Sequence, residues 1–577
     1  MDLVTVEVVQ NQLLTAAEEM GITLVRTAYS PNIKERRDSS AAILDPDGSV
    51  IAQAAHIPMH LSSMMELAHE LFRQCPRESL RPGDMFIAND PYVGAGSHLN
   101  DLAVISPVFV KGRLVAFVAN AAHHADVGGR VPGSESGDSR SIFQDGLRIP
   151  IARIMHRGRL DDGLFRTILL NTRTPEERVG DLRAQFAANR AGARRIEEIA
   201  RQYGHEALIA GMGAVLDYTE RRIREGIGSL PAGVYTAAGY TDDNGLEPTS
   251  VEIRLAVHVR DGEMLLDFAG TDPQVAGAKN VPVVSLLATV YYVVKAVIDP
   301  DIPSNAGFHR AITVKAPRGS VLNPLPPAAV AARFTTCQKV ADVMLTALAA
   351  AVPERVVAHC HGGTLAIYSG IDPRTGGFFV DYEVYAGGSG ARFEKDGADG
   401  LANHTTNTSN LPIECLEQEF SLLVERYELL PDSGGPGRFR GGLGVIREVR
   451  GLDQELTVGG WGCDHRLPPA GLQGGSDGVP GRFEFHSPGS SVPHVVKSTV
   501  AGARLPAGGR LRITTSGGGG FGNPLDREPE HVLQDVLEGK ITSEHARSAY
   551  GVVIEDQDVD RRATETLRQH LREESHV

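Results

Sequence analysis

The chain reads as an α+β protein of several domains, with mixed antiparallel sheets packed by helices and a β-rich, glycine-rich C-terminal part. Three observations predict this. A length of 577 residues is too great for one hydrophobic core. The apolar pattern switches along the chain between a period near 3.6 and a period of 2. Glycine and turn residues then crowd the stretch 430–525, which reads as β-structure around irregular loops.

Residues 5–28 predict an amphipathic helix, because Val6, Val9, Leu13, Ala16, Met20 and Thr23 fall on one stripe. It ends near Tyr29-Ser30-Pro31, since the residue before a proline leaves the helical region. The charged string 34–40 leads into a strand at 41–44 and an Asp-Pro-Asp-Gly turn at 45–48. A second helix is expected at 61–74 and a short buried strand at 85–88. Segments 102–110 and 114–122 are apolar and flank Lys111-Gly112-Arg113, which predicts a hairpin with a three-residue loop. From about 160 to 227 the pattern is helical and dense in arginine and glutamate. After Pro231 the period becomes 2, with strands at 251–259 and 264–269. Residues 280–298 predict an apolar helix ended by Asp299-Pro300, and another helix is expected at about 335–352. Two polar helices follow near 528–538 and 543–550. The chain thus divides into an N-terminal unit at 1–227, a central α/β unit at 228–425, a glycine-rich β unit at 426–525 and a helical tail at 526–577.

A net charge of −15 argues against nucleic-acid binding through a basic surface. Five scattered cysteines without CxxC spacing fit a reducing compartment and offer no zinc cluster. There is no run of eighteen apolar residues, and Asp2 and Glu7 stand where a signal peptide would be basic and then apolar. A cytoplasmic location is expected.

The expected hairpin carries chemistry at its open end. With Val110 opposite Leu114, counting outward sets Asp101 opposite His123, with Cβ atoms about 4.5–5.5 Å apart. Side chains alternate along a strand, so His124 points the other way. His98 adds a third donor from the loop before. Two imidazoles and a carboxylate suit a catalytic zinc, manganese or iron ion with open positions. The competing reading is a histidine pair that caps a sheet edge and is inert. A β-bulge at Gly112 or near Asn120 would exchange His123 for His124.

The strings VRTAYSPNIKERRDSS (25–40), GDMFIANDPY (83–92), GSHLNDLAVISPVF (96–109), HHADVGG (123–129), NTRTPEERVGDLRAQFAANR (171–190) and VERYELLPDSGGPGRFRGGLG (424–444) resemble the hydantoinase B/oxoprolinase family. The resemblance covers almost the whole chain. It implies an ATP-dependent hydrolase of cyclic amides (hydantoin, N-methylhydantoin, 5-oxoproline or a lactam) working with a hydantoinase A-type ATPase subunit, in an (AB)2 heterotetramer. ATP would phosphorylate the carbonyl oxygen on that partner, and metal-activated water on this chain would attack it. The absence of a GxxxxGK[ST] phosphate loop agrees with this division. In the acetone carboxylase branch a His-x-x-Asp and a later histidine hold a metal, and the matching positions are His98, Asp101 and His123. Asp38 is a candidate fourth ligand, against a salt bridge to Arg36 or Arg37. His124 and Asp126 are candidates for supporting the ligands or managing a proton. The alternatives are a carboxylase subunit of the acetone or acetophenone type and a non-catalytic scaffold for the ATPase.

Other residues read more plainly. His56 and His60 flank Pro58 and are expected to pack rather than ligate. Arg173 and Arg178 are expected to pair with Glu176 and Glu177 on the surface, or else to bind phosphate. Cys360 between His359 and His361 is discounted as a metal cluster, because neighbours on a strand face opposite ways.

Overall fold

The computed structural model describes residues 3–574 apart from Ala55 and Leu61; Asp2 and Leu61, used above, lie outside the described residues. Helix α1 (Leu3–Thr27) buries Val6, Val9, Leu13, Ala16 and Met20 on the expected stripe, which continues through Leu24 rather than the half-buried Thr23. The chain continues through β1 (Ser39–Leu44), β2 (Val50–Ala54), α2 (Ser63–Gln74), β3 (Met85–Ala88), β4 (Asp101–Val110), β5 (Arg113–His123), β6 (Ala152–His156) and β7 (Arg159–Leu160). These strands form one antiparallel sheet in the order β2-β1-β5-β4-β3-β6-β7. Helices α1 and α3 (Pro175–Tyr203) cover one face, where Leu13, Ala17 and Met20 meet Val118, Ala184 and Ala188. Helix α2 covers the other, with Leu67 and Leu71 beside Phe86 and Phe117. Both faces of β1 and β3 are buried, which is why those strands read as continuous apolar runs.

The hairpin differs from expectation at its tip. Val110 pairs with Arg113 and Phe109 with Leu114, so the loop has two residues, Lys111 and Gly112. Their φ values of 50° and 79° fit the type I′ turn that suits strand twist. A bulge then follows, with Val108 opposite Ala116, and it restores the register that the shorter loop would have shifted. The two departures cancel, and Asp101 stands opposite His123.

After α4 (His205–Gly228), strands β8 (Gly233–Tyr240), β9 (Glu252–Arg260), β10 (Glu263–Asp267) and β11 (Ile312–Lys315) form a second sheet, in which β10 and β11 run parallel. Helices α5 (Val283–Ile298) and α6 (Arg333–Leu348) share a core with it through Val290, Val294, Val340 and Val257. Helix α6 begins two residues earlier than its pattern suggests, which places Arg333 in its first turn.

Strands β12 (Thr364–Ile371) and β13 (Phe378–Tyr385) pair into a sheet with β16 (Leu456–Gly462) and β19 (Thr499–Leu505). A five-stranded sheet of β14 (Leu422–Leu429), β15 (Val445–Gly451), β17 (Arg482–His486), β18 (His494–Val496) and β20 (Arg510–Thr514) packs beside it. The expected boundary at 425/426 falls inside β14, and the first of these sheets takes strands from both sides of it. The glycine-rich loops stack backbone on backbone. Gly518 donates to the carbonyl of Gly442 at 2.9 Å and Gly442 to that of Ser389 at 2.8 Å. A Cβ on Gly442 or Gly518 would lie 2.0 Å from a neighbouring carbonyl oxygen, so these stretches are packed turns with no room for a phosphate. Helices α7 (Pro529–Leu537), α8 (Ser543–Tyr550) and α9 (Arg561–Glu574) come last, and α9 buries only Thr564, so the apolar pattern gives no sign of it. Among the described residues no helix is long and apolar enough to cross a membrane.

Candidate metal centre

Asp101 opens β4 and His123 closes β5, so the pleat aims both at one spot beyond the sheet end. His98 arrives from the loop between β3 and β4. Asn89 braces that loop by donating to the carbonyls of Leu99 at 2.7 Å and Leu147 at 2.9 Å. His98 Nε2 lies 3.1 Å from Asp101 Oδ1 and 3.2 Å from His123 Nδ1, and His123 Nδ1 lies 3.7 Å from Asp101 Oδ1. All three side chains are buried, and their ligating atoms lie within 4.8 Å of one another.

The chemistry of this donor set fits a divalent cation. Glu135 Oε1 sits 2.8 Å from His98 Nδ1, the ring nitrogen that points away from the cluster, while Nε2 faces Asp101 and His123. Burial, then the facing His98 ring, push His123 well below the usual imidazole value, so it presents a lone pair. Burial alone would raise the Asp101 carboxyl, yet the rings of His98 and His60 hold it well below the usual range. Two imidazole rings and one carboxylate converge as a His₂-carboxylate site requires.

The walls come from distant segments. His60 Nε2 lies 3.5 Å from Asp101 Oδ1, and Asp38 Oδ2 lies 3.7 Å from His123 Nδ1. Burial pushes the Asp38 carboxyl up to about 6. Arg333 donates to Ser97 Oγ at 2.6 Å and stands 3.7 Å from Asp101 and 3.6 Å from Glu135. Trp461 Nε1 donates to Glu135 Oε2 at 3.1 Å, and the Tyr382 ring meets His123 edge-on at 4.7 Å. Although burial opposes ionisation of Glu135, His98 and Arg333 bring it down to about 2. Asp38, His60, Asp101, His123, Arg333 and Tyr382 all line the cavity above the cluster.

The sequence-predicted residues fall into two groups. Asp38, Asp101 and His123 line the cavity, and His98 packs against Asp101 and His123. Asp38 is not taken up by its neighbour Arg36, which turns instead to Asp381 at 2.8 Å and Glu383 at 3.3 Å. His124 and Asp126 are not brought to the cavity. His124 lies on the other side of the strand, with Nε2 3.0 Å from Gln185 Oε1. Asp126 accepts from the amides of Gly128, Gly133 and Arg173, and its carboxylate binds the Arg173 guanidinium at 2.9 Å. It thereby pins the loop that delivers Glu135. Arg173 therefore pairs with Asp126 rather than Glu176, while Arg178 is buried against Asp181 at 2.9 Å as well as Glu177 at 3.0 Å. His60 sits in a 3-10 turn after Pro58, packed as expected yet in the cavity wall.

Sequence reasoning missed Glu135, Arg333, Tyr382 and Trp461. The signals present were faint: one glutamate in a loop of small residues, one arginine ending an apolar run at 328–332, and the chain's single tryptophan.

A family model described as hydantoinase B/oxoprolinase matches residues 2–524. The beta subunit of caprolactamase from Pseudomonas jessenii is 32% identical, over 96% of this chain and 97% of that one. A crystal structure of ATP-dependent caprolactamase from the same organism matches with a TM-score of 0.90 at 30% identity, covering 99% of this chain and 100% of that chain. The 5-oxoprolinase 1 of Arabidopsis thaliana is 34% identical over 91% of this chain, which spans 42% of that enzyme. A nucleotide-free structure of acetone carboxylase has the same fold, with a TM-score of 0.91 at 19% identity over 99% of this chain and 83% of that chain.

Proposed function

The chain belongs to the hydantoinase B/oxoprolinase family, and from that premise we propose that it is the B-type subunit of an ATP-dependent cyclic-amide hydrolase opening a hydantoin, 5-oxoproline or lactam ring. The convergence of His98, Asp101 and His123 at the end of one hairpin carries this reading. A ring amide resists attack, because resonance must be broken and a basic nitrogen expelled. Phosphorylating its carbonyl oxygen provides a good leaving group. We assign that step to an A-type ATPase partner in an (AB)2 assembly, since this chain lacks a P-loop motif.

His98, Asp101 and His123 would hold a zinc, manganese or iron ion, with Asp38 as a fourth donor at the rim. A divalent ion held there would supply Lewis acidity that lowers the pKa of water to about 7. The chain's own residues do the remaining work. Glu135 fixes the His98 ring, and Arg333 offers positive charge where an anionic, phosphorylated oxygen would enter. Asp38 and His60 face the cavity and are placed to relay a proton to the departing nitrogen. His124 and Asp126 act at one remove, as positioning residues for the strand end and the Glu135 loop.

The test is ATP-dependent ring opening of a panel of cyclic amides by the chain together with an A-type subunit. Ring opening coupled to ADP release, lost in Asp101→Ala and His123→Ala, is expected. ATP-dependent carboxylation of a ketone without ring opening would overturn the hydrolase reading in favour of the carboxylase one.

A further inference from the structure

Cys360, set aside above because its sequence neighbours point away, has a histidine partner from elsewhere in the chain. His359 turns to Thr346 at 2.8 Å and His361 to Ser516 at 2.8 Å, on opposite sides. His404 instead lines the same cavity as Cys360, whose thiol donates to the Ala358 carbonyl at 3.7 Å. The Nε2 of His404 lies 3.1 Å from Asp342 Oδ1, and the same oxygen accepts the Cys360 amide at 3.3 Å. His404 adopts a φ of 50°, a conformation uncommon for a non-glycine residue. The backbone N–H of Gly390 points at Cys360 Sγ from 3.2 Å. That approach requires glycine, since a Cβ at Gly390 would lie 1.8 Å from the Ala358 carbonyl oxygen. Cys360 and His404 line a cavity of about 340 Å³, and Arg392 and Lys395 on its rim have no carboxylate partner among the described residues. The rim carboxylate of Asp396 is bound by Arg527 at 2.6 and 2.8 Å. Along α6, Asp342 stands about 14 Å beyond Arg333, so this cavity is distinct from the metal cluster.

The geometry points to a second reactive centre, in which Cys360 is a nucleophile, His404 its base and Asp342 the positioning residue, accepting a small acyl ester or thioester that carries a carboxylate. The arrangement is that of an activated thiol: nucleophile and base line one cavity and meet one orienting carboxylate, with a backbone N–H aimed at the reacting sulfur. In the forward step the Cys360 sulfur forms a bond to the acyl carbon as the bond to the leaving oxygen or sulfur breaks. His404 takes the thiol proton and passes it to the leaving group. Water then attacks the thioester, His404 takes its proton and returns one to Sγ, and the carboxylic acid departs with no net redox change. Burial opposes protonation of His404, but the thiol, Asp342 and Tyr292 around it hold its pKa well above the usual imidazole value, which favours the proton-carrying ring that delivers a proton to the leaving group. Lys339 at 3.3 Å and His359 at 3.8 Å also face Asp342, so its carboxylate is shared.

The full chain is tested with iodoacetate and iodoacetamide between pH 6 and 9, with labelling of each cysteine read by peptide mass spectrometry. Cys360 is expected to react at least about ten-fold faster with iodoacetate than the half-buried Cys75 and Cys415 at pH 6.5, and to prefer iodoacetate over iodoacetamide. In His404→Gln its rate should fall and its pH profile should move to that of an ordinary thiol; Asp342→Asn should move it part of the way. With mono-4-nitrophenyl succinate a burst of about one nitrophenolate per chain is expected, absent in Cys360→Ser. Labelling of Cys360 no faster than that of Cys75 and Cys415, or absence of the burst in the unaltered chain, overturns the proposal, and both are read without any variant.

Discussion

Glu135 touches no position where an ion would bind, yet it faces the nitrogen of His98 that points away from the cluster. Its carboxylate lies 2.8 Å from Nδ1, is held ionised by His98 and Arg333 against the effect of burial, and orients the ring. Replacing it as Glu135→Gln is expected to weaken divalent-ion affinity about 10–100-fold, measured by competition with a chromogenic chelator. A second residue-scale prediction concerns pH. His361 is fully enclosed, and burial, with His465 nearby, lowers it to about 3 from an ordinary 6.5. Its folded pKa lies below its unfolded one, so folding favours the neutral ring. The stability it contributes is complete above pH 6.5 and is lost as pH falls from there toward 3. His361→Asn should flatten the acid limb by up to one proton's slope, about 1.4 kcal/mol per pH unit, in urea midpoints measured from pH 7 to 4. At this scale His98, Asp101 and His123 were legible, since they lie on one local pattern. Glu135, Arg333 and Tyr382 were not, because each comes from a different part of the chain and carries no spacing that ties it to the others.

Among elements, the hairpin shows how a right conclusion can survive a wrong intermediate. A three-residue loop and an unbulged β5 predict the same pairing at the open end as a two-residue loop and one bulge. Lys111 in the left-handed region hides the turn type, because Asn or Asp marks such turns more clearly. Most helices were legible from period alone, and their bounds shifted by a few residues; α9 was not, because almost nothing on it is buried. The α1–α3 contact is close enough to test. A Cβ on Gly192 would lie 2.2 Å from Met20 Sδ. Gly192→Ala is expected to cost about 1–3 kcal/mol by denaturant unfolding, and Met20→Ala in the same chain should recover part of it. Independent, additive losses would show that the two helices do not press together there.

The whole molecule is tied across its expected units by buried charge. Arg36, from the segment before β1, meets Asp381 and Glu383 on β13, and Arg447 on β15 meets Glu383 at 2.6 Å. All four side chains are almost fully enclosed, so removing one partner strands the others. Arg36→Met should destabilise the protein by about 3–5 kcal/mol, and adding Asp381→Asn and Glu383→Gln should recover part of that loss in thermal unfolding. The same cross-links explain why unit boundaries were hard to read: composition changes near 425, but β-pairing continues across it, and pairing between distant strands leaves no local mark. The His98–Asp101–His123 cluster takes two of its side chains from the first sheet and one from the loop before β4, and its walls include α6, β13 and β16. The measurement that tests the central claim most directly is divalent-metal content per chain, by elemental analysis of the purified protein beside Asp101→Ala, His123→Ala and His124→Ala. About one ion per chain, lost in the first two variants and kept in the third, is the predicted result; an ion retained without Asp101 and His123, or lost only with His124, would contradict it.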